Sequence, residues 1–174
     1  MVVENATMTI TGTSTIHDWT SDVTAVQGSM TLDGKLLTRG SIKKGDKIKA
    51  MSIIIPVKSI ISPRGATMDK KTYAALKSEE HPNIVFTLTD NKVSSVEGKA
   101  FNVAAKGDLN IAGITQPVEM DVEGRLTDQG GYWFKGSEKL NIKDYNMEPP
   151  SAMFGQIVTG EEVEINFEVV FNAQ

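Results

Sequence analysis

Cysteine is absent from these 174 residues, and that gap removes disulfides, thiol nucleophiles and thiolate metal sites together. Histidine is almost absent: His17 and His81 are the only two, too few and too far apart for the three or four spaced ligands that zinc requires. No apolar run approaches the ~20 residues of a membrane-spanning helix, so no stable membrane insertion is expected. A basic surplus is missing as well. The net charge is -4, which argues against nucleic acid, because phosphate binding wants a clustered basic surface; Lys43, Lys44, Lys47 and Lys49 read as a solvated strand or turn. The opening MVVENATMTITGTS has neither a basic stretch nor a long apolar one, so no signal peptide is visible. The chain is expected either to be cytosolic or to have lost a leader.

Catalytic signatures are equally scarce. No serine sits in a nucleophile elbow, and the GATMD stretch lacks the lysine and hydroxyl pair of a phosphate loop. Asp69 with Glu79 or Glu80 reads as solvated helix charge rather than a catalytic carboxylate pair. His17, beside Asp18 and Trp19, reads as a structural histidine at a strand end, and His81 as a helix-end cation before Pro82. No cofactor is expected.

What is present is alternation. Hydrophobic residues make up 40% and charged residues 23%, ordinary proportions for a folded protein, and the length suits a single domain over residues 1–174. Thr7–Ile16 and Asp22–Leu32 read as strands, followed by turns at Asp33–Gly34 and around Gly40 and Gly45. Ile48–Ile55 is apolar enough to suggest a strand buried on both faces or covered by a helix. Between Arg64 and His81 the period changes, with Met68, Thr72, Tyr73 and Leu76 on helical spacing, and Pro82 stops the pattern. It is the only good helix in the chain, about three turns long, and a lone helix among strands usually caps something.

Asn83–Asp90, Lys92–Val96 and Ala100–Ala105 follow as strands. Lys106–Val122 then reads as a hairpin with Leu109, Ile111, Val118, Met120 and Val122 on one dry face and Ala112–Pro117 as its turn. Tyr132–Ile142 is a strand in which Phe134 and Leu140 share a parity. The loop Lys143–Gly160 carries Tyr145, Met147, Met153 and Phe154, too much apolar surface to stand free. Glu161–Phe171 alternates most cleanly, with Val163, Ile165, Phe167, Val169 and Phe171 inward. Nine or so strands with one helix make an all-β chain, either a sandwich or a closed antiparallel barrel. A barrel of about eight strands can hold one small ligand, although the composition alone favours an ordinary packed core.

Five stretches in this order carry a resemblance across essentially the whole chain: TSTIHDW, VKSI before the helical segment, EEHPNIVFTLT, KGDLNIAGITQPVEMDV, and DYNMEPPSAMFG with TGEEVEINFEVVF. Together they resemble the YceI-like family of lipid-binding proteins. The resemblance implies an extended lipocalin-like antiparallel β-barrel with an apolar tunnel for a polyisoprenoid, an isoprenoid quinone-like lipid or a similar amphiphile, bound without catalysis. It also implies export to the periplasm or secretion, and leaves a homodimer open. Given such a tunnel, parity assigns its lining to Ile84, Phe86, Leu88, Leu109, Ile111, Met120, Val122, Phe134, Leu140, Ile165 and Phe167, with Met68, Tyr73, Leu76, Met153 and Phe154 near its closure. Two rivals stand beside it: an enzyme of hydrolase type on the same barrel, using His17 and Asp18, and a packed β domain that acts through protein contacts in a stress response.

Overall fold

Alternation with period two commits each segment to a strand with one apolar side, and those sides need a common interior. The computed structural model describes residues 1–152 and 157–173. Its strands are β1 (Val2–Ser14), β2 (Asp18–Val23), β3 (Gln27–Leu32), β4 (Ile48–Pro56), β5 (Ile60–Ile61), β6 (Asn83–Glu97), β7 (Ala100–Ile111), β8 (Ile114–Leu126), β9 (Tyr132–Asn141), β10 (Ser151–Ala152) and β11 (Ile157–Asn172). Two α-helices accompany them, α1 (Gly34–Arg39) and α2 (Ala66–Ala75).

Eight of the strands form a closed antiparallel ring in the order β1, β11, β9, β8, β7, β6, β4, β3. The barrel, not the sandwich, is therefore the architecture. Its seam is β3 against the start of β1, where Val2 faces Ser29 and the Met30 amide donates to the Met1 carbonyl at 2.8 Å. At the other end of β1 the partner is β2, which in turn carries β5. The ring is not evenly laced. β8 and β9 pair only from Glu123 and Lys135 to Leu126 and Tyr132, and Pro117, which has no N–H to offer a neighbour, lies on the part of β8 that β9 leaves. The 3-10 turn Ile142–Tyr145 reaches across there, where Gln116 Nε2 donates to the Asp144 carbonyl at 2.8 Å.

One strand joins two expected segments, and bulges are the reason. β6 joins the two segments expected over Asn83–Asp90 and Lys92–Val96, with register shifts between Leu88 and Asp90 and between Val93 and Ser95. A bulge flips parity, so the inward set passes from Ile84, Phe86 and Leu88 to Asn91 and Val93, and the alternation looks broken when it has only changed phase. Asn91 turns that phase change into a joint: its side chain accepts from the Ile48 amide and donates to the Ile48 carbonyl, both at 2.8 Å. β4 is not buried on both faces. Met51, Ile53 and Ile55 line the interior, while on the other face Ala50 is exposed and Ser52 and Ile54 border neither cavity and are only half-buried.

The expectation of one helix needs correction. α1 occupies the stretch taken for turns: Asp33 caps it by accepting from the Lys35 amide at 2.8 Å, and Gly40 ends it at a φ of 69°. Six residues are too few to show a helical period, yet Leu36 is buried in the same apolar cluster as Phe101, Phe134 and Phe171. α2 stops at Ala75, short of Pro82, because Leu76 caps it and Lys77 takes a φ of 55°. His81 thus lies beyond the helix end, with its ring against the β7–β8 turn.

That turn is shorter than the expected Ala112–Pro117. Only Ala112 and Gly113 make it, with φ of 51° and 82°, the pair of positive values a type I′ hairpin turn requires. Added carbon at Gly113 would stand 2.5 Å from His81 Nε2. Gly113→Ala is therefore expected to lower the unfolding free energy by about 1–3 kcal/mol, from left-handed strain and the displaced imidazole. A urea titration beside wild type measures it, and an unchanged midpoint would contradict the account.

Candidate functional site

Inside the ring the apolar residues gather in two clusters. The lower one is closed by aromatic rings: Phe134 stands edge-on to Phe101 at 6.1 Å and to Phe171 at 6.0 Å, and stacks with Tyr132 at 6.4 Å. Between the clusters and the upper rim the side chains do not fill the space. An outer cavity of about 210 Å³ lies under α2, and an inner cavity of about 120 Å³ lies deeper in the barrel.

The outer cavity changes character with depth. Its deep wall is Ile84, Ile111, Leu140 and Ile165, and its rim carries Ser14, His17, Ser62, Arg64, Lys71 and Ser151. α2 crosses this rim with Met68, Thr72, Ala75 and Leu76 toward the cavity. The helix buries little of itself. Hydrogen bonds hold it instead: Tyr73 donates from its hydroxyl to the Ile60 carbonyl at 2.8 Å and the Lys58 carbonyl at 3.1 Å, and Asp69 accepts from the Ser62 amide at 2.8 Å.

Of the sequence-derived lining residues, Met68, Leu76, Ile84, Ile111, Leu140 and Ile165 border the outer cavity. Phe86, Leu88, Leu109, Met120, Val122, Phe134, Ile165 and Phe167 border the inner one. Tyr73 borders neither and serves as the helix tie. Met153 and Phe154 fall outside the described residues. Met8, Ile10, Met51 and Ile53 border the cavities as well, from β1 and β4, whose alternation names an inward face without saying that it meets open space. Parity passed over Gly136, on which the Phe167 ring lies: an added carbon there would stand 2.7 Å from that ring. A glycine opposite an aromatic residue on the next strand is a packing signal that could have been read.

One inward position was missed for a different reason. Glu138 shares the parity of Phe134 and Leu140, and every other side chain bordering the inner cavity is apolar. Burial holds its carboxyl above the ordinary value for glutamate. Tyr145 is nearby in the outer cavity, 2% exposed. Burial, then the charges of Asp144 and Glu138, push its phenol up to about 12.

A folded-state phenol raised in this way contributes stability that is complete below the unfolded value of about 10. That stability is lost as pH rises through 12. The protein is expected to weaken progressively above about pH 10, and Tyr145→Phe to flatten that loss. Denaturant titrations at stepped alkaline pH check it, and equal slopes in both proteins would contradict it.

His17 sits at the rim with its Nδ1 at 2.8 Å from the Asp18 main-chain carbonyl, not the Asp18 carboxylate. Its Nε2 is buried and makes no hydrogen bond among the described residues. No group of three or more histidine, aspartate or glutamate side chains is placed to hold a metal ion among the described residues. Among them, too, no helix is long and apolar enough to cross a membrane.

Comparison with known proteins returns the same fold. A family model described as the YceI-like domain matches residues 2–171. The chain belongs to the YceI-like family. No curated protein matches it. Among solved structures it is similar to a polyisoprenoid binding domain from Saccharophagus degradans implicated in plant cell wall breakdown. That match has 10% identity and a TM-score of 0.73, over 99% of this chain and 98% of that one. It is also similar to BcnA of Burkholderia cenocepacia, at 15% identity and a TM-score of 0.67 over 96% of each chain. The YceI protein of Campylobacter jejuni aligns at 16% identity and a TM-score of 0.64, over 88% of this chain and 84% of that one. At such identities the likeness establishes the fold alone, and this YceI-like barrel keeps it with largely different side chains.

Proposed function

We propose that this YceI-like barrel binds, carries or stores a long apolar amphiphile, of the polyisoprenoid or isoprenoid quinone kind, without transforming it. The observation that carries the reading is the pair of cavities: apolar space in line along the barrel, entered through a polar rim. Burial contributes about 0.8 kcal/mol per methylene, so a five-carbon isoprene unit contributes roughly 3–4 kcal/mol before ordering costs. Two or three units suffice for tight binding. Each cavity is smaller than an ordinary ligand pocket of about 300 Å³ or more, which fits a segment of that length better than a whole long polyprenyl chain. A charged head group stays at the rim, near Arg64 and Lys71, while an uncharged chain end is free to enter. In keeping with the family resemblance, the place of action is the periplasm or the medium outside the cell.

Native mass spectrometry of gently purified protein, followed by titration with polyprenyl lipids, tests the proposal. A co-purifying species of polyprenyl mass, recovered chemically unchanged after long incubation, is the expected result. An empty barrel that also fails to take up polyprenyl lipids would overturn it. Conversion of the lipid would overturn the non-enzymatic part, and loss of that conversion in His17→Ala would place the chemistry at the rim.

A further inference from the structure

A carboxylate inside a hydrocarbon-lined space is costly unless something partners it. Glu138 has no hydrogen bond or ion pair from its side chain among the described residues, and it is the only polar residue bordering the inner cavity. Its position is beside the one residue that borders both cavities. Ile165, its cross-strand partner on β11, borders both, while Leu140 on one side of Glu138 borders the outer cavity and Phe134 on the other borders the inner. A second polar group borders the neighbouring cavity. The Tyr145 hydroxyl makes no hydrogen bond among the described residues, and Tyr145 borders the outer cavity near enough for the Glu138 charge to act on it.

We propose that Glu138 and Tyr145 form a polar station where the two cavities meet, and that it binds a hydroxyl group carried by the apolar chain of the ligand. The inference rests on the lipid-carrying reading and narrows its ligand class. A hydroxyl donates to the carboxylate while its oxygen accepts from the phenol, so both groups gain a partner at once. An ether at the same place lacks the donor, a carboxylic acid brings a like charge, and a plain hydrocarbon leaves Glu138 desolvated and unpaired.

The test compares farnesol with its methyl ether, two chains that differ in one donor, by displacement of the fluorescent apolar probe N-phenyl-1-naphthylamine. Wild type is expected to prefer farnesol by roughly ten- to hundredfold, the effect of a hydrogen bond to a charged group. Glu138→Leu is expected to bind the ether at least as well as wild type and to lose nearly all of the preference. Tyr145→Phe is expected to lose part of it, and Glu138→Gln, which keeps an acceptor of similar shape, to retain part. An equal preference in wild type and Glu138→Leu, or none in wild type, overturns the station; Glu138 is then solvated through the parting of β8 and β9, and the lipid-carrying reading stands. Uptake of neither probe by wild type overturns the reading and the station together.

Discussion

Replacing Phe171 with alanine is expected to lower the unfolding free energy by about 3–5 kcal/mol, a large share of the ~5–15 kcal/mol that holds a typical domain together. Phe171 is 1% exposed and stands edge-on to Phe134. Its strand is a double partner, pairing Phe171 with Val3 of β1 on one side and with Tyr132 of β9 on the other. Truncation therefore opens space where ring closure and the aromatic floor meet, and the surrounding strands cannot collapse into it without breaking pairs. Denaturant titration gives the number. Val96→Ala, at a site 37% exposed, is the control and should move it by less than about 0.5 kcal/mol. Similar losses at both positions would show that the aromatic floor is not a keystone of the barrel.

Filling the passage should be as decisive for binding as emptying the floor is for stability. Ile165→Trp puts a large ring at the one sequence-derived position that borders both cavities. A chain excluded from the inner cavity loses about one isoprene unit of burial, roughly 3–4 kcal/mol, so affinity for a polyprenyl ligand is expected to fall on the order of a hundredfold or more. Overpacking itself costs about 1–3 kcal/mol of stability, and a parallel denaturant titration separates that loss from the binding defect. Glu162→Trp, with the same ring on an exposed position of the same strand, should bind normally. Undiminished affinity in a folded Ile165→Trp protein would mean that the ligand does not pass between the cavities.

Much of the barrel was legible because a strand's period is short and strict. In β11 the inward set Val163, Ile165, Phe167, Val169 and Phe171 follows directly from alternation, and all five lie in or against the core. The hairpin of β7 and β8 was legible on the same grounds, and its Gly113 announced a turn. What alternation cannot carry is phase across a bulge. The shift near Leu88 made one strand look like two, and the true turn at Ala112–Gly113 was blurred by a proline that belongs inside β8. α1 was missed although both caps, Asp33 and Gly40, are in the text, since six residues offer no period to detect.

The side on which each residue lies was set locally, by steric alternation along the backbone, and so the sequence by itself determined the strands, most of the inward faces and the family resemblance. It placed Glu138 on the same side as Phe134 and Leu140. Whether that side meets packed side chains or open space depends on distances between strands far apart in the chain. β1 must close on β3 and β11 before an interior exists, the rings of Phe134 and Phe171 must stop it at one end, and α2 must cross the other. Only the tertiary structure left space between those limits, and with it turned Glu138 from a charge in a strand into the single polar wall of an apolar cavity.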